Sequence, residues 1–166
     1  GTHAYVPKHH PGVKVVGDER PSPEEHSELK FHGSMREGFQ VDAMDRTLAC
    51  MRRTGGAVLS LYAGGGKAAV ALNLVASLKV KTLIVVHKNV LLQQWRERIA
   101  QFLGLDAKDV GHIQADKFDV KDKSIVLATI QTLTSREWGE GTFDRFGMLV
   151  LDEAHHVPSQ SFSRLL

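Results

Sequence analysis

The chain opens on a stretch without a hydrophobic period. Residues 1–30 are rich in proline, histidine and charge, and Pro21-Ser22-Pro23-Glu24-Glu25 blocks any regular element until past Pro23, since proline fixes φ and lacks an amide donor. This part reads as an extended arm or small subdomain, with Gly12 to Gly17 a candidate short strand. From Gln40 the positions Ala43, Met44, Thr47, Leu48 and Met51 recur at helical spacing, and that helix is expected to stop at Gly55-Gly56.

Strand-like and helix-like patterns then alternate. Ala57 to Tyr62 predicts a short apolar strand, followed by a glycine loop and a helix from Lys67 to about Leu78. Thr82 to Val86 is an apolar run of strand length, followed by an amphipathic helix from about Val90 to Leu103. Ser124 to Ala128 and Met148 to Leu151 are further short apolar runs, and Val110 to Gln114 is a weaker candidate. Runs unbroken by polar residues suit parallel strands covered on both faces, because a strand with one wet face would alternate. The order predicts an α/β, doubly wound parallel sheet flanked by helices, with ligands at the C-terminal strand ends.

Composition narrows this only slightly. The 166 residues suffice for one compact α/β domain and not for two. A net charge of +2 is compatible with a nucleic-acid partner but does not argue for one. With Cys50 alone, no intramolecular disulfide can form, so a reducing compartment is expected. No apolar run is long enough for a membrane span and the N-terminus lacks signal-peptide form, so an intracellular location is expected and a membrane is not.

Two segments carry chemistry. Ala63-Gly64-Gly65-Gly66-Lys67-Ala68 lies between a predicted strand and a predicted helix. Glycines let successive amides curl around a phosphate, the helix N-terminus faces it, and Lys67 can reach outer phosphates. A plain tight turn is the bland alternative. The second segment is Met148-Leu149-Val150-Leu151-Asp152-Glu153-Ala154-His155, an apolar strand ending in two carboxylates. Burying them is costly without compensation. A Mg²⁺ ion held through water by Asp152 would compensate, leaving Glu153 to polarise a water for phosphoanhydride hydrolysis. Alternatively, Asp152 caps a helix that has Glu153 in its first turn. The long separation between Lys67 and Asp152 leaves room for the strands that would bring both loops to one sheet edge.

The order of these segments resembles helicase superfamily 2. Lys67 falls in what looks like motif I, and Asp152-Glu153-Ala154-His155 resembles motif II in its DEAH form. His87-Lys88-Asn89-Val90-Leu91-Leu92-Gln93-Gln94-Trp95 is similar to motif Ia, and Ala128-Thr129-Ile130-Gln131-Thr132-Leu133 to a later motif that touches the tracking strand. Met35-Arg36-Glu37-Gly38-Phe39-Gln40 looks like the adenine-sensing segment. The resemblance covers about residues 29–166 and is closest to helicases of large DNA viruses and the related repair and transcription branch.

The resemblance implies a first RecA-like (P-loop NTPase) domain over residues 31–166, incomplete at its C-terminal end. It also implies ATP and Mg²⁺ as cofactors and a motor that moves on nucleic acid, DNA rather than RNA. Lys67, Asp152, Glu153 and His155 would be the catalytic set, with His155 linking the ATP site to the nucleic-acid side. Arg36, Gln40, Ala63, Gly64, Gly65, Gly66, Lys67 and Ala68 would bind nucleotide, and Asp152 the metal. His87, Lys88, Thr129 and Gln131 would face the nucleic acid and contact phosphates without sequence preference. Cytoplasm or nucleus is the implied location, or a virion for a viral protein.

Some positions keep plainer readings. His87 and Lys88 could form a solvated strand end, Gln131 could cap a helix, and Trp95 reads as core rather than a base-stacking platform. The histidine pairs His9-His10 and His155-His156 lack ligand spacing for a metal.

Two features depart from the family pattern. Position 68 is alanine, where motif I carries a Thr or Ser hydroxyl that ligates Mg²⁺ directly. The chain also stops before the domain's last strand, its Ser-Ala-Thr motif and the second RecA-like domain that supplies arginine fingers. A fragment that hydrolyses ATP poorly is therefore expected. A silent nucleotide- or nucleic-acid-binding module is the alternative. A small-molecule kinase would need acceptor and lid residues that do not follow motif II. Gln40 also lies four residues after Arg36, where the family pattern expects about three.

Overall fold

A computed structural model describes residues 22–114 and 117–154. Helix α1 (Phe39–Thr54) precedes the glycine loop, and α2 (Lys67–Leu78) follows it. Then come β1 (Thr82–Val86), α3 (Asn89–Leu103), β2 (Val110–Gln114), β3 (Lys117–Asp119), β4 (Ile125–Thr129), α4 (Ile130–Thr134) and β5 (Met148–Leu151). The strands form one sheet in the order β3-β2-β4-β1-β5. All neighbours are parallel except β3, which runs antiparallel to β2 at one edge.

The unbroken apolar runs are explained by burial on both faces. Ile84, Val86, Ile125 and Leu127 join Val70, Leu72 and Val75 of α2 and Leu92, Trp95 and Ile99 of α3 in one core layer. Leu83, Val85, Val126 and Ala128 point to the opposite layer, with Ile130 and Leu133 of α4 and the rings of Trp138, Phe143 and Phe146. Every residue of β1 and β4 is buried. That sandwich of helix, sheet and helix-plus-loop holds the strand ends at fixed positions.

One expected element is absent. The apolar segment from Ala57 to Tyr62 forms no strand. A strand needs a ladder partner for its backbone groups, and among the described residues this segment has none. Val58 is 94 % exposed, and only Leu59 and Leu61 lean on the core. The candidate strand at Gly12 to Gly17 lies outside the described residues.

The described end of the N-terminal arm is docked on the sheet. Lys81 donates its amide to the Glu24 carbonyl at 2.8 Å, His26 to Lys79 at 2.7 Å, and Leu29 is buried. Lys81 is itself buried, and its Nζ donates to a Glu24 carboxylate oxygen at 2.9 Å and to the Val120 carbonyl at 2.7 Å. The Lys81 hydrogen bond holds the Glu24 carboxyl below the ordinary carboxylate value, outweighing burial, which pushes it up. A depressed pKa stabilises the fold above the unfolded-state value and ceases to do so as pH falls through the folded one. Glu24→Gln is expected to cost about 1–3 kcal/mol at neutral pH, because Lys81 loses its charged partner. The penalty should shrink on acidification, as urea midpoints at about pH 7 and about pH 3 would register. An equal penalty at both would contradict this role.

Candidate functional site

The glycine loop owes its shape to residues without a Cβ. Gly64 and Gly66 adopt φ of 78° and 84°, left-handed values that side chains disfavour. Between them, Gly65 donates its amide to the Tyr62 carbonyl at 2.9 Å, closing a turn. Gly66 is the N-cap of α2, so Lys67 and Ala68 begin the helix and the first-turn amides, which lack intrahelical partners, face out from its positive end.

Helix α1 braces this loop. The Gln40 side chain is buried, its Nε2 donating to the Gly65 carbonyl at 2.8 Å. Its Oε1 accepts from the Arg36 amide, also at 2.8 Å. A Cβ on Gly66 would strike the Gln40 amide nitrogen, so the close approach requires glycine there. Gln40 and Arg36 thus join the loop, while the Arg36 side chain is exposed.

The carboxylates reach the same edge through β5. Asp152 donates its amide to Val85 at 2.9 Å, extending the β1–β5 pairing by one residue. Glu153 then turns into the left-handed region with φ of 53°, a conformation that costs a non-glycine residue roughly 1–2 kcal/mol. Its Oε1 lies 3.6 Å from Lys67 Nζ, so the two loops meet across an ion pair. Sequence patterning did not anticipate the third contact: Trp95, buried on α3, donates its indole Nε1–H to Asp152 Oδ2 at 2.9 Å. His155 lies outside the described residues.

These residues fit a polyphosphate. The N-terminus of α2 and Lys67 converge at one place, and two carboxylates stand beside them. The described residues contain no cluster of three or more metal-ligating side chains. Mg²⁺ commonly relies on one or two carboxylates together with substrate phosphates, so Asp152 and Glu153 fit such an ion. Ala68 offers it no side-chain oxygen.

A second group gathers around the ends of β1 and β4. His87, Lys88, Asn89, Gln114, Thr129, Gln131, Thr132 and Ser135 line a groove of about 500 Å³. Gln131 caps no helix; its Nε2 donates to the His87 carbonyl at 2.8 Å, tying the two loops together. Thr129 is buried, and its hydroxyl caps α4 by accepting from the Thr132 amide at 3.3 Å. All four residues expected to face nucleic acid therefore meet at one groove.

The sheet, with the phosphate-type loop and carboxylates at one edge, is that of a RecA-like ATPase domain. The family described as "Type III restriction enzyme, res subunit" (ResIII) matches residues 34–166, and the chain belongs to it, within helicase superfamily 2. A protein of Acanthamoeba polyphaga mimivirus, provisionally named an ATP-dependent RNA helicase, is 32 % identical over 136 residues, covering 82 % of this chain and 25 % of that one. The "DNA 3'-5' translocase XPB2" of Sulfurisphaera tokodaii is 36 % identical over 106 residues, covering 64 % of this chain and 23 % of its own length. The chain thus spans about a quarter of these relatives. The SWI2/SNF2 ATPase core of Sulfolobus solfataricus, solved with double-stranded DNA, shares the fold with a TM-score of 0.64 at 18 % identity, over 86 % of this chain and 31 % of that one. No described helix is long and apolar enough to cross a membrane.

Proposed function

We propose that this chain is the ATP-binding motor domain of a helicase or translocase that couples ATP hydrolysis to movement on nucleic acid, DNA in preference to RNA. The observation that carries the proposal is the meeting of Lys67 and Glu153, far apart in sequence, at 3.6 Å on the edge where the parallel strands end. The glycine loop and Lys67 hold the phosphates, Gln40 braces the loop beside the adenine, and Glu153 orients the attacking water. Asp152 would hold Mg²⁺ through water, and the ion would supply neutralising charge at the phosphates. His155 would link this centre to the strand. A second RecA-like domain would complete the site with arginine fingers.

The groove between His87 and Ser135 is the strand-binding face in this reading. Its lysine and polar side chains suit phosphate contacts, and the relative named a DNA 3'-5' translocase supports DNA as the partner. The test is fluorescence anisotropy of a labelled single-stranded DNA against salt. Binding should weaken with salt, and Lys88→Ala should reduce the log–log slope by about one. Salt-independent binding, or none, would remove the strand-binding role. A silent binding module is favoured by one observation, the missing hydroxyl at Ala68. It predicts nucleotide binding without turnover even when a partner domain is supplied.

A further inference from the structure

We infer that Trp95 is a positioning residue for Asp152, fixing the carboxylate that faces the metal; the inference rests on the nucleotide-site reading above. A buried indole needs a partner for its one N–H, and core residues of that kind usually find a backbone carbonyl, as Trp138 does at Leu133. Trp95 instead reaches from α3 to the loop after β5 and donates to Asp152 Oδ2 at 2.9 Å.

Two consequences follow from that geometry. The indole is held by the core layer of Leu92, Ile99 and α2, so the donor has little freedom to move. Its bond occupies one carboxylate oxygen and leaves Oδ1 for a metal-bound water. Asp152 is already pinned through its backbone to Val85, so Trp95 fixes the remaining freedom, that of the side chain. With Ala68 offering no side-chain ligand, the carboxylates after β5 are what the chain offers a metal, and Trp95 orients one of them.

The test compares affinity for a fluorescent ATP analogue with and without Mg²⁺. Variants are Trp95→Phe, Asp152→Ala, and a chain carrying β-(3-benzothienyl)alanine at position 95 in a Trp138→Phe background. That analogue keeps the indole's shape and replaces the N–H by sulfur, so loss of fold cannot imitate loss of the donor. The expected result is that both Trp95 replacements lower the Mg²⁺-dependent part of affinity by about 10–100-fold, as lost outer-shell partners do, with Mg²⁺-free affinity unchanged. In the unmodified chain, the Trp95 indole N–H resonance should move upfield on Asp152→Ala and shift when Mg²⁺ and nucleotide are added.

Mg²⁺ dependence lost in Asp152→Ala but retained in both Trp95 replacements would overturn the assignment to Trp95 alone. An affinity that ignores Mg²⁺ in the unmodified chain, or in which Asp152→Ala changes nothing, would overturn the metal role of Asp152 and the inference with it. An indole resonance indifferent to Asp152 would overturn the hydrogen bond itself.

Discussion

Lys67→Ala should weaken binding of an ATP analogue by roughly 10–100-fold, the loss expected when a charge-assisted hydrogen bond to phosphate is removed. The structure separates this effect from any on the fold. Lys67 is the first residue of α2 and its side chain is 43 % exposed, with Glu153 as an ion-pair partner rather than a core contact. Unfolding midpoints should therefore stay close to the unmodified protein, since exposed substitutions of this kind seldom exceed about 0.5 kcal/mol. Removing the lysine also takes its positive charge away from beside Glu153, which deepens the loss. Calorimetric titration measures affinity and thermal unfolding measures stability. Unchanged affinity would mean that the glycine loop does not hold phosphate.

The second large effect runs in the opposite direction. Ala68→Thr places a hydroxyl on the first turn of α2, beside Lys67 and on the edge shared with Asp152 and Glu153. One added metal ligand worth about 1.4 kcal/mol raises Mg²⁺-dependent affinity about tenfold. Ala68 is half-buried against the core, so threonine must fit its methyl there and lose a little helix propensity, at most about 0.7 kcal/mol. A gain in Mg²⁺-dependent affinity with a slight fall in stability is the expected pair of results. Titrating Mg²⁺ at fixed nucleotide reads it directly. No gain would place the metal away from the start of α2 and weaken the reading of Asp152 as its neighbour.

Much of this arrangement was legible in the residue pattern, and the exceptions have physical causes. The strands Thr82–Val86 and Met148–Leu151 and the helix Lys67–Leu78 fall where their apolar patterns placed them; full burial of Thr82–Val86 leaves no room for polar interruptions, and the helix buries one face through Val70, Leu72, Leu74 and Val75. Ala57 to Tyr62 has equally apolar character yet no ladder partner, and pairing is a property of the sheet rather than of the segment. The edge strand β3 went unforeseen for the converse reason. Lys117 and Phe118 are exposed, and a three-residue edge has no hydrophobic signature. Helix α4 is too short to show a period, although Thr129 as its N-cap was a readable signal.

The candidate site divides in the same way. The glycine loop and the paired carboxylates are local patterns, and both could be placed from sequence. Gln40 was legible as a candidate adenine reader, but its grip on the Gly65 carbonyl is a long-range contact that spacing cannot show. Trp95 was readable as core, and its burial agrees. The hydrogen bond to Asp152 depends on how α3 crosses the sheet, which no periodicity encodes.

Hydrogen–deuterium exchange of the chain with and without Mg²⁺ and a non-hydrolysable ATP analogue tests the central claim most directly. The account predicts slowed exchange in the glycine loop and first turn of α2, around residues 62–70, together with the turn after β5, around residues 149–154. Slowing confined to the groove lined by His87 and Gln131, or absent from both loops, would contradict a single ATP site built from these two segments.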